Sequence, residues 1–436
     1  MGNVSSMTPE PMHAPGAGEV RRDVRAWLER NWNPELSLVA WRNLLVDSGW
    51  ACPTWPREWY GRGLAVALAS TVSEEFERVG AVGPPQGVGM TLAAATILEH
   101  GTDEQRRRFL RPILTGEDTW CQLFSEPGSG SDLAGLTTRA DRDGDDWVVN
   151  GQKVWSTSAH HAGWGMLLAR TSWDVPKHRG ITFFAIEMDQ PGVTVRPLRQ
   201  MNGHASFNEV FFSDARVAGR DAIGGGGNGW TVALTTLAHE RRMADTLRAL
   251  GRSPKGPGRA RDEHRAEVAS LLEPYRWYPQ RAGRADLLLE RVRETGSGND
   301  PLVRQAVVKV LTMARAAEWM ARRAKAARAL GRPGPEGSLV KLAASNVARG
   351  AAQAHAMISG AEAMLAGSDG PREGLIAEVL LSVPAVSIAG GTDEIQRNII
   401  AERVLGLPRE PQPDVDRPFR DVPKNVAPRP RGTDTV

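Results

Sequence analysis

Apolar positions recur every three to four residues over 20–28 and 35–48, which puts Trp27, Leu28, Trp41, Leu44 and Leu45 on the buried faces of two helices. The next stretch, GWACPTWPREWYGRG at 49–63, mixes Gly, Pro and aromatic residues and reads as an irregular linker pinned by tryptophans. Helical spacing returns over 64–78 and 89–100, and GTDEQRRRFLRPILTG at 101–116 supplies a further helix that Thr102 or Asp103 can cap. From Cys121 to about Ile223 the period becomes strand-like, in short runs at 147–150, 165–170, 181–187, 193–198 and 207–212 rich in Val, Ile, Phe and Thr. Turn formers at Asp143-Gly144, Pro191-Gly192 and Asn202-Gly203 separate these runs at hairpin spacing.

GGGGNGW at 224–230 stops the strands, and 231–248 resumes the helical pattern with Val232, Leu234, Leu237, Met243 and Leu247, carrying Glu240 and Arg241. Residues 251–260 are basic and rich in Gly and Pro, hence a loop. Helical patterns at 263–293, where Trp277 and Tyr278 pack, and at 301–330, 338–365 and 375–383 complete a helix bundle. The Pro-rich tail at 409–436 lacks apolar periodicity and is expected to be disordered or draped over a neighbouring subunit. The division that follows is a disordered start at 1–17, a helical domain at 18–120, a β-barrel domain at 121–224, a helical bundle at 225–408 and the tail.

A chain of 436 residues, 41% of them apolar, exceeds what one core supports, in keeping with two or three domains. Its 54 basic and 51 acidic residues leave a net charge of +3 without long single-sign blocks, so nothing favours a nucleic-acid partner. Two cysteines, Cys52 and Cys121, are too few for a disulfide framework or a structural zinc site and fit a reducing cytoplasm. No run is long and apolar enough to span a bilayer, and the first residues lack the basic and apolar regions of a signal peptide.

Chemistry concentrates in WCQLFSEPGSGSDLAG at 120–135. Gly128, Ser129, Gly130, Ser131 and Asp132 form a tip where glycine permits close backbone approach, so that successive N–H groups can converge on an anion while Ser131 adds a hydroxyl. An ordinary solvated turn is the plain alternative. Shortly downstream, NGQKVWSTSAHHAGWGMLLAR at 150–170 sets Trp155, Ser156 and Thr157 on a second strand, and two neighbouring strands could grip one flat cofactor.

FSEPGSGSD, NGQKVWST and the C-terminal GGTDEIQRNIIAERVLG stand in the order and spacing of one family, and from about residue 21 to 408 the sequence resembles an FAD-dependent acyl-CoA dehydrogenase. The resemblance implies an α+β fold: an N-terminal helical domain, a middle β domain and a C-terminal helical bundle. It also implies oxidation of an acyl-CoA to its trans-2-enoyl thioester, with electrons passed to an electron-transferring flavoprotein, in a homodimer, homotetramer or heteromer. It assigns Gln122, Leu123, Phe124 and Ser125 to the edge of the flavin ring, Gly130 and Ser131 to the phosphate region, and Trp155 to packing on the ring. Thr157 comes near flavin N5 with Ser156 beside it; Thr392 and Glu394 approach FAD, and Ser131 and Arg241 also face substrate.

Many relatives carry the catalytic glutamate immediately before the Gly-Thr of the C-terminal motif, where this chain has Gly390. Isovaleryl and long-chain types carry it instead on an earlier helix before an arginine, as Glu240-Arg241 stand here, so the resemblance makes Glu240 the base. A carboxylate shielded from water is raised towards the range a general base needs; the plain alternative is an exposed helix ion pair. Gly390 keeps its backbone N–H for the thioester oxygen, and its missing side chain leaves room for a branched or bulky acyl group. The Arg-x-x-Phe-Gly segment with which many relatives hold a neighbour's adenine is absent around 300–310, as is Gln-x-x-Gly-Gly near 357–360. Two other readings therefore stand beside the dehydrogenase: a non-catalytic partner subunit of a heteromeric enzyme, and a flavin monooxygenase on the same fold. No metal site is expected, because adjacent His160 and His161 fall on opposite faces of a strand.

Overall fold

The structure, a computed structural model, describes residues 15–250, 254–330, 334, 336–412 and 414–423, and within these the side chains of 241–250 and 328–329 are not described. Two compact units form, one from the chain up to Thr119 together with Asp245–Leu271, the other from Trp120–Ala244 and Leu272 onward.

The first unit contains α1 (Ala17–Asn31), α2 (Leu38–Asp47), α3 (Ala69–Val79), α4 (Ala95–His100) and α5 (Asp103–Thr115). Val24, Leu28, Trp41 and Leu45 are fully buried in its core, whereas Leu44, expected inside, is exposed. Three successive apolar residues, Leu44 to Val46, spread over about 200° of the helix at about 100° per residue, wider than one buried face, so one faces outward. Thr102 caps α5 in a reciprocal box: its hydroxyl accepts from Gln105 N at 3.2 Å while its own N–H donates to Gln105 Oε1 at 2.9 Å.

The second unit begins with an eight-stranded sheet. Its strands are β1 (Trp120–Leu123), β2 (Arg139–Asp143), β3 (Asp146–Thr157), β4 (Trp164–Arg170), β5 (Ile181–Glu187), β6 (Val193–Leu198), β7 (Phe207–Val217) and β8 (Ala222–Ile223). The order is β6-β7-β3-β2-β4-β5-β8, with β1 parallel to β4 off that path. β4 and β5 are apolar and buried on both faces, and the core between strands is filled by Leu123, Val149, Leu167, Phe184, Ile186 and Val210.

α6 (Gly229–Leu250) leaves the sheet, followed by α7 (Arg259–Leu272), α8 (Tyr278–Arg281), α9 (Leu288–Thr295), α10 (Pro301–Ala329), α11 (Glu336–Ser359), α12 (Leu375–Ser382) and α13 (Asp393–Arg403). The helical run expected over 263–293 is broken into α7, α8 and α9 by short 3-10 turns, because Pro274 and Pro279 lack an N–H and Gly283 adopts φ 84°. α7 lies in the first unit, although the sequence placed it in the bundle: Arg42 of α2, 2% exposed, pairs with Glu267 at 2.8 and 2.5 Å. α9, α10 and α11 share the core of Leu288, Val303, Val307, Val310, Ala351, Ala354 and Ile358. Among the described residues no helix is long and apolar enough to cross a membrane.

The tail departs from its expectation where it is described. Phe419, 1% exposed, packs under the β domain of its own chain, with its N–H donating to Val175 O at 2.9 Å.

Candidate active site

The 126–138 loop owes its shape to a buried carboxylate. Glu126 accepts from Thr137 N at 2.8 Å, Thr137 Oγ1 at 2.9 Å, Thr138 N at 2.8 Å and Lys153 Nζ at 2.8 Å. Burial works against both charges of the pair, yet these converging donors hold the Glu126 carboxyl down at about 2, while desolvation lowers Lys153. Glu126 and Ser129 exchange backbone hydrogen bonds, and Ser129 Oγ, buried, donates to Asp132 O at 2.5 Å. Ser129 is thus spent on the loop itself, while Gly130, Ser131 and Asp132 are exposed at the tip, and a Cβ at Gly130 would meet nothing within 4 Å.

β1 ends against β3. Phe124 O accepts from Lys153 Nζ at 3.0 Å and Ser125 O from Val154 N at 2.9 Å. The side chains of Leu123 and Phe124 belong to the core, at 0% and 4% exposure, which leaves their backbone for any ligand. In the β3–β7 ladder Lys153 pairs with Val210 and Ser156 with Asn208, so Val154 and Trp155 together oppose one residue. This bulge holds Trp155 at φ 64° and turns its indole outward, 55% exposed, edge-on to Phe207 at 5.6 Å. A non-glycine residue in that region is strained and persists where its surroundings enforce it. Ser156 faces inward, 1% exposed, its Oγ without a hydrogen-bond partner among the described residues, and Thr157 closes the strand half-buried.

Glu240, half-buried on α6, accepts from Gln122 Nε2 of β1 at 3.1 Å. An aromatic series leads towards it: Trp155 to Phe207, Phe207 to Trp277 at 6.2 Å, Trp277 to Tyr278 at 5.1 Å and Tyr278 to Tyr275 at 4.8 Å. Burial, then the neighbouring Tyr278 and the Glu240 carboxylate, push the Tyr275 phenol well above its ordinary range, against a hydrogen bond with Thr157. Burial and Glu240 likewise raise Tyr278, against the Arg281 guanidinium that lies 4.1 Å over its ring. Both phenols therefore stay protonated beside the carboxylate. The side chain of Arg241 lies outside the described residues.

The remaining assigned residues form a separate turn. Gly390 and Gly391 have φ of 68° and 86°, and Gln396 Nε2 donates to both of their carbonyls at 3.2 and 3.4 Å. Thr392 caps α13 by accepting from Ile395 N at 3.3 Å, and Glu394 points outward to Arg397 at 3.2 Å. α13 is seated on α11 by Lys341 Nζ, which reaches the buried Asp393 at 3.0 Å.

The β1–β3 end has the properties a flat, phosphate-bearing group requires. An indole is held out of the sheet by a strained bulge, a buried hydroxyl at Ser156 has no hydrogen-bond partner among the described residues, and the loop that follows β1 has an open tip. FAD fits this set: Ser131 and Gly130 would meet phosphate, and Trp155 and Thr157 the ring. Pattern reading missed Lys153, Glu126 and Tyr275 as parts of the site. Composition held one signal, since two of the chain's three tyrosines fall in the four residues 275–278.

Residues 13–117, 121–215 and 283–405 match the N-terminal, middle and C-terminal domains of acyl-CoA dehydrogenase. The acyl-CoA dehydrogenase IpdE1 of Mycobacterium tuberculosis is 36% identical over 409 residues, covering 90% of this chain and 98% of its own. FadE34 of the same organism is 38% identical over 368 residues, 84% of this chain and 46% of its own. Among solved structures, a variant of the Tcur3481-Tcur3483 steroid ACAD aligns with a TM-score of 0.60 at 25% identity, over 90% of this chain and 99% of that one. The ChsE4-ChsE5 complex from M. tuberculosis gives 0.57 at 26%, over 91% and 99%. The chain belongs to the acyl-CoA dehydrogenase family, whose members are FAD-dependent oxidoreductases.

Proposed function

We propose that this acyl-CoA dehydrogenase takes a bulky acyl group, branched or ring-bearing, that Glu240 removes its α proton, and that an electron-transferring flavoprotein reoxidises the enzyme. The observation that carries the reading is Glu240, half-buried on α6 and fixed by Gln122 from the strand that leads into the cofactor loop. Bound FAD supplies the acceptor for the β hydrogen as hydride. Gln122 orients the carboxylate, the protonated phenols of Tyr275 and Tyr278 shield it from water, and the N–H of Gly390 is the oxyanion donor for the thioester carbonyl. Bulk is supported by the open space around Gly390, where a Cβ would meet nothing within 4 Å, and by kinship to a steroid ACAD.

Glu240→Gln keeps shape and hydrogen bonding but cannot accept a proton. Mixed with acyl-CoA in a stopped-flow cell, it is expected to reduce its flavin slower by about 10²–10⁴-fold, with FAD content unchanged. Reduction at the wild-type rate would remove Glu240 from the role.

A second reading makes this chain one subunit of a heteromer. Its support is that two structurally similar proteins are two-component assemblies by name, together with exposed apolar side chains at Ile388, Leu405 and Leu407 around α13. The flavin absorbance of the chain purified alone separates the readings: a colourless protein that also fails to take up added FAD favours the heteromer.

A further inference from the structure

The guanidinium of Arg170, at the end of β4, is 0% exposed. It is surrounded by carbonyls: Nη2 donates to Ala134 O at 2.6 Å, Nε to Leu136 O at 3.2 Å and Nη1 to Lys177 O at 2.8 Å. Two of these carbonyls lie in the second half of the cofactor loop, immediately after its exposed tip. Lys177 ties the same loop from outside, Nζ to Asp132 Oδ1 at 2.8 Å. Burial lowers Arg170 to about 10, so it remains charged at neutral pH.

That charge has an aromatic cover. The Phe419 ring lies 3.6 Å from the guanidinium carbon and Trp173 lies 5.9 Å away, with the two rings 5.4 Å apart. Phe419 is placed by backbone bonds, its own N–H to Val175 O at 2.9 Å and Arg420 N to Trp173 O at 3.0 Å, beside a bridge between Pro176 and Pro418. Arg420 also pairs with Asp174 at the surface. Removing the ring would admit water to a guanidinium whose bonds shape the loop, and those bonds weaken once water competes for them.

We propose that residues 414–423 are a C-terminal strap that sets the geometry of the cofactor loop, with Phe419 a positioning residue acting through Arg170. The proposal rests on the reading of residues 126–138 as the loop that meets FAD phosphate. It gives the described part of the Pro-rich segment a task in cofactor retention and accounts for the burial of a large aromatic side chain within it.

The test uses the full chain freed of flavin. Hydrogen exchange is followed for peptides covering 128–137 and, as an internal control, 181–187, and the FAD dissociation constant is measured by fluorescence quenching. Phe419→Ala is expected to speed exchange in the loop, but not in β5, and to weaken FAD binding, each on the order of tenfold. Arg420→Ala, which removes the exposed pair with Asp174 and keeps the Phe419 ring, should match wild type in both. Should Phe419→Ala loosen the whole β domain, Phe419→Leu keeps the apolar volume without the ring face and decides the matter. Unchanged loop exchange, or faster exchange with unaltered FAD affinity, would overturn the proposal. A wild-type chain that binds no FAD would overturn the cofactor reading instead, and the exchange measurement would still judge the strap.

Discussion

The 126–138 loop and the 390–392 turn both carry glycine-containing backbone that we propose meets cofactor or substrate, and they are held in different ways. The loop is braced from beneath by a buried carboxylate with four donors, a buried lysine and a buried arginine. In the turn Gly390 is exposed and Gly391 and Thr392 are half-buried, and it is held by the side-chain amide of Gln396 and by the Thr392 cap of α13, without a buried charge among the described residues of the turn itself. A loop fixed before any ligand arrives contributes rigid donors without reorganisation. A turn so lightly held is free to be completed by substrate or by a second subunit, and we read it as the adaptable half of the site.

The largest effect should come from the brace. Lys153→Met leaves the Glu126 carboxylate buried without its cation, and stability by chemical denaturation is expected to fall by ~3–5 kcal/mol with loss of bound FAD. A fall as small as at an exposed position would mean that the loop is not charge-braced. Acid probes the same pair. The Glu126 carboxyl, held at about 2 in the folded chain against 4.5 ordinarily, contributes ~3 kcal/mol that is complete above pH 4.5 and lost as pH falls towards 2. Denaturation midpoints for wild type and Glu126→Gln should converge across that window. Glu267 in the first unit, also at about 2, adds a separate acid-labile contribution that both proteins share.

Smaller effects separate brace from contact within the loop. Ser129→Ala removes a buried hydroxyl bond and should cost ~1 kcal/mol of stability. Ser131→Ala, at the exposed tip, should leave stability within ~0.5 kcal/mol yet release FAD faster in a flavin-dilution assay. Equal FAD retention in the two variants would remove Ser131 from the phosphate site. At the loose turn, Gly390→Ala meets no neighbour but must adopt φ 68°, so a cost of ~1 kcal/mol or less with FAD retention unchanged is expected. A cost like that at Lys153 would show that the turn is as firmly held as the loop.

Much of this organisation was legible in the residues. Helical and alternating periods placed most elements, β5 and β6 residue for residue, because burial of one face imposes its period on the chain. The loop and the Trp155 strand were identifiable because close backbone approach and a ring platform demand residue types in a fixed local order. Pairing across long separations was not legible. Nothing local marks Glu126 and Lys153 as partners, Gln122 as the residue that meets Glu240, or Arg170 as the guanidinium that Phe419 covers. Residues 263–293 read as one helical run, and that Pro274 and Pro279 would break it and bring two tyrosines near enough to Glu240 to feel its charge required the packed chain.

The sequence by itself determined most of the helix and strand segments, the family they compose and the residue types that carry its chemistry, since these depend on composition and spacing along a few turns of chain. Only the tertiary structure decided that Ser129 serves its loop while Ser131 stands exposed, that a bulge turns Trp155 outward, and that Phe419 returns to the β domain of its own chain. Each of those outcomes rests on which buried donors and charges find partners, and in a folded chain the partners come from residues far apart in sequence.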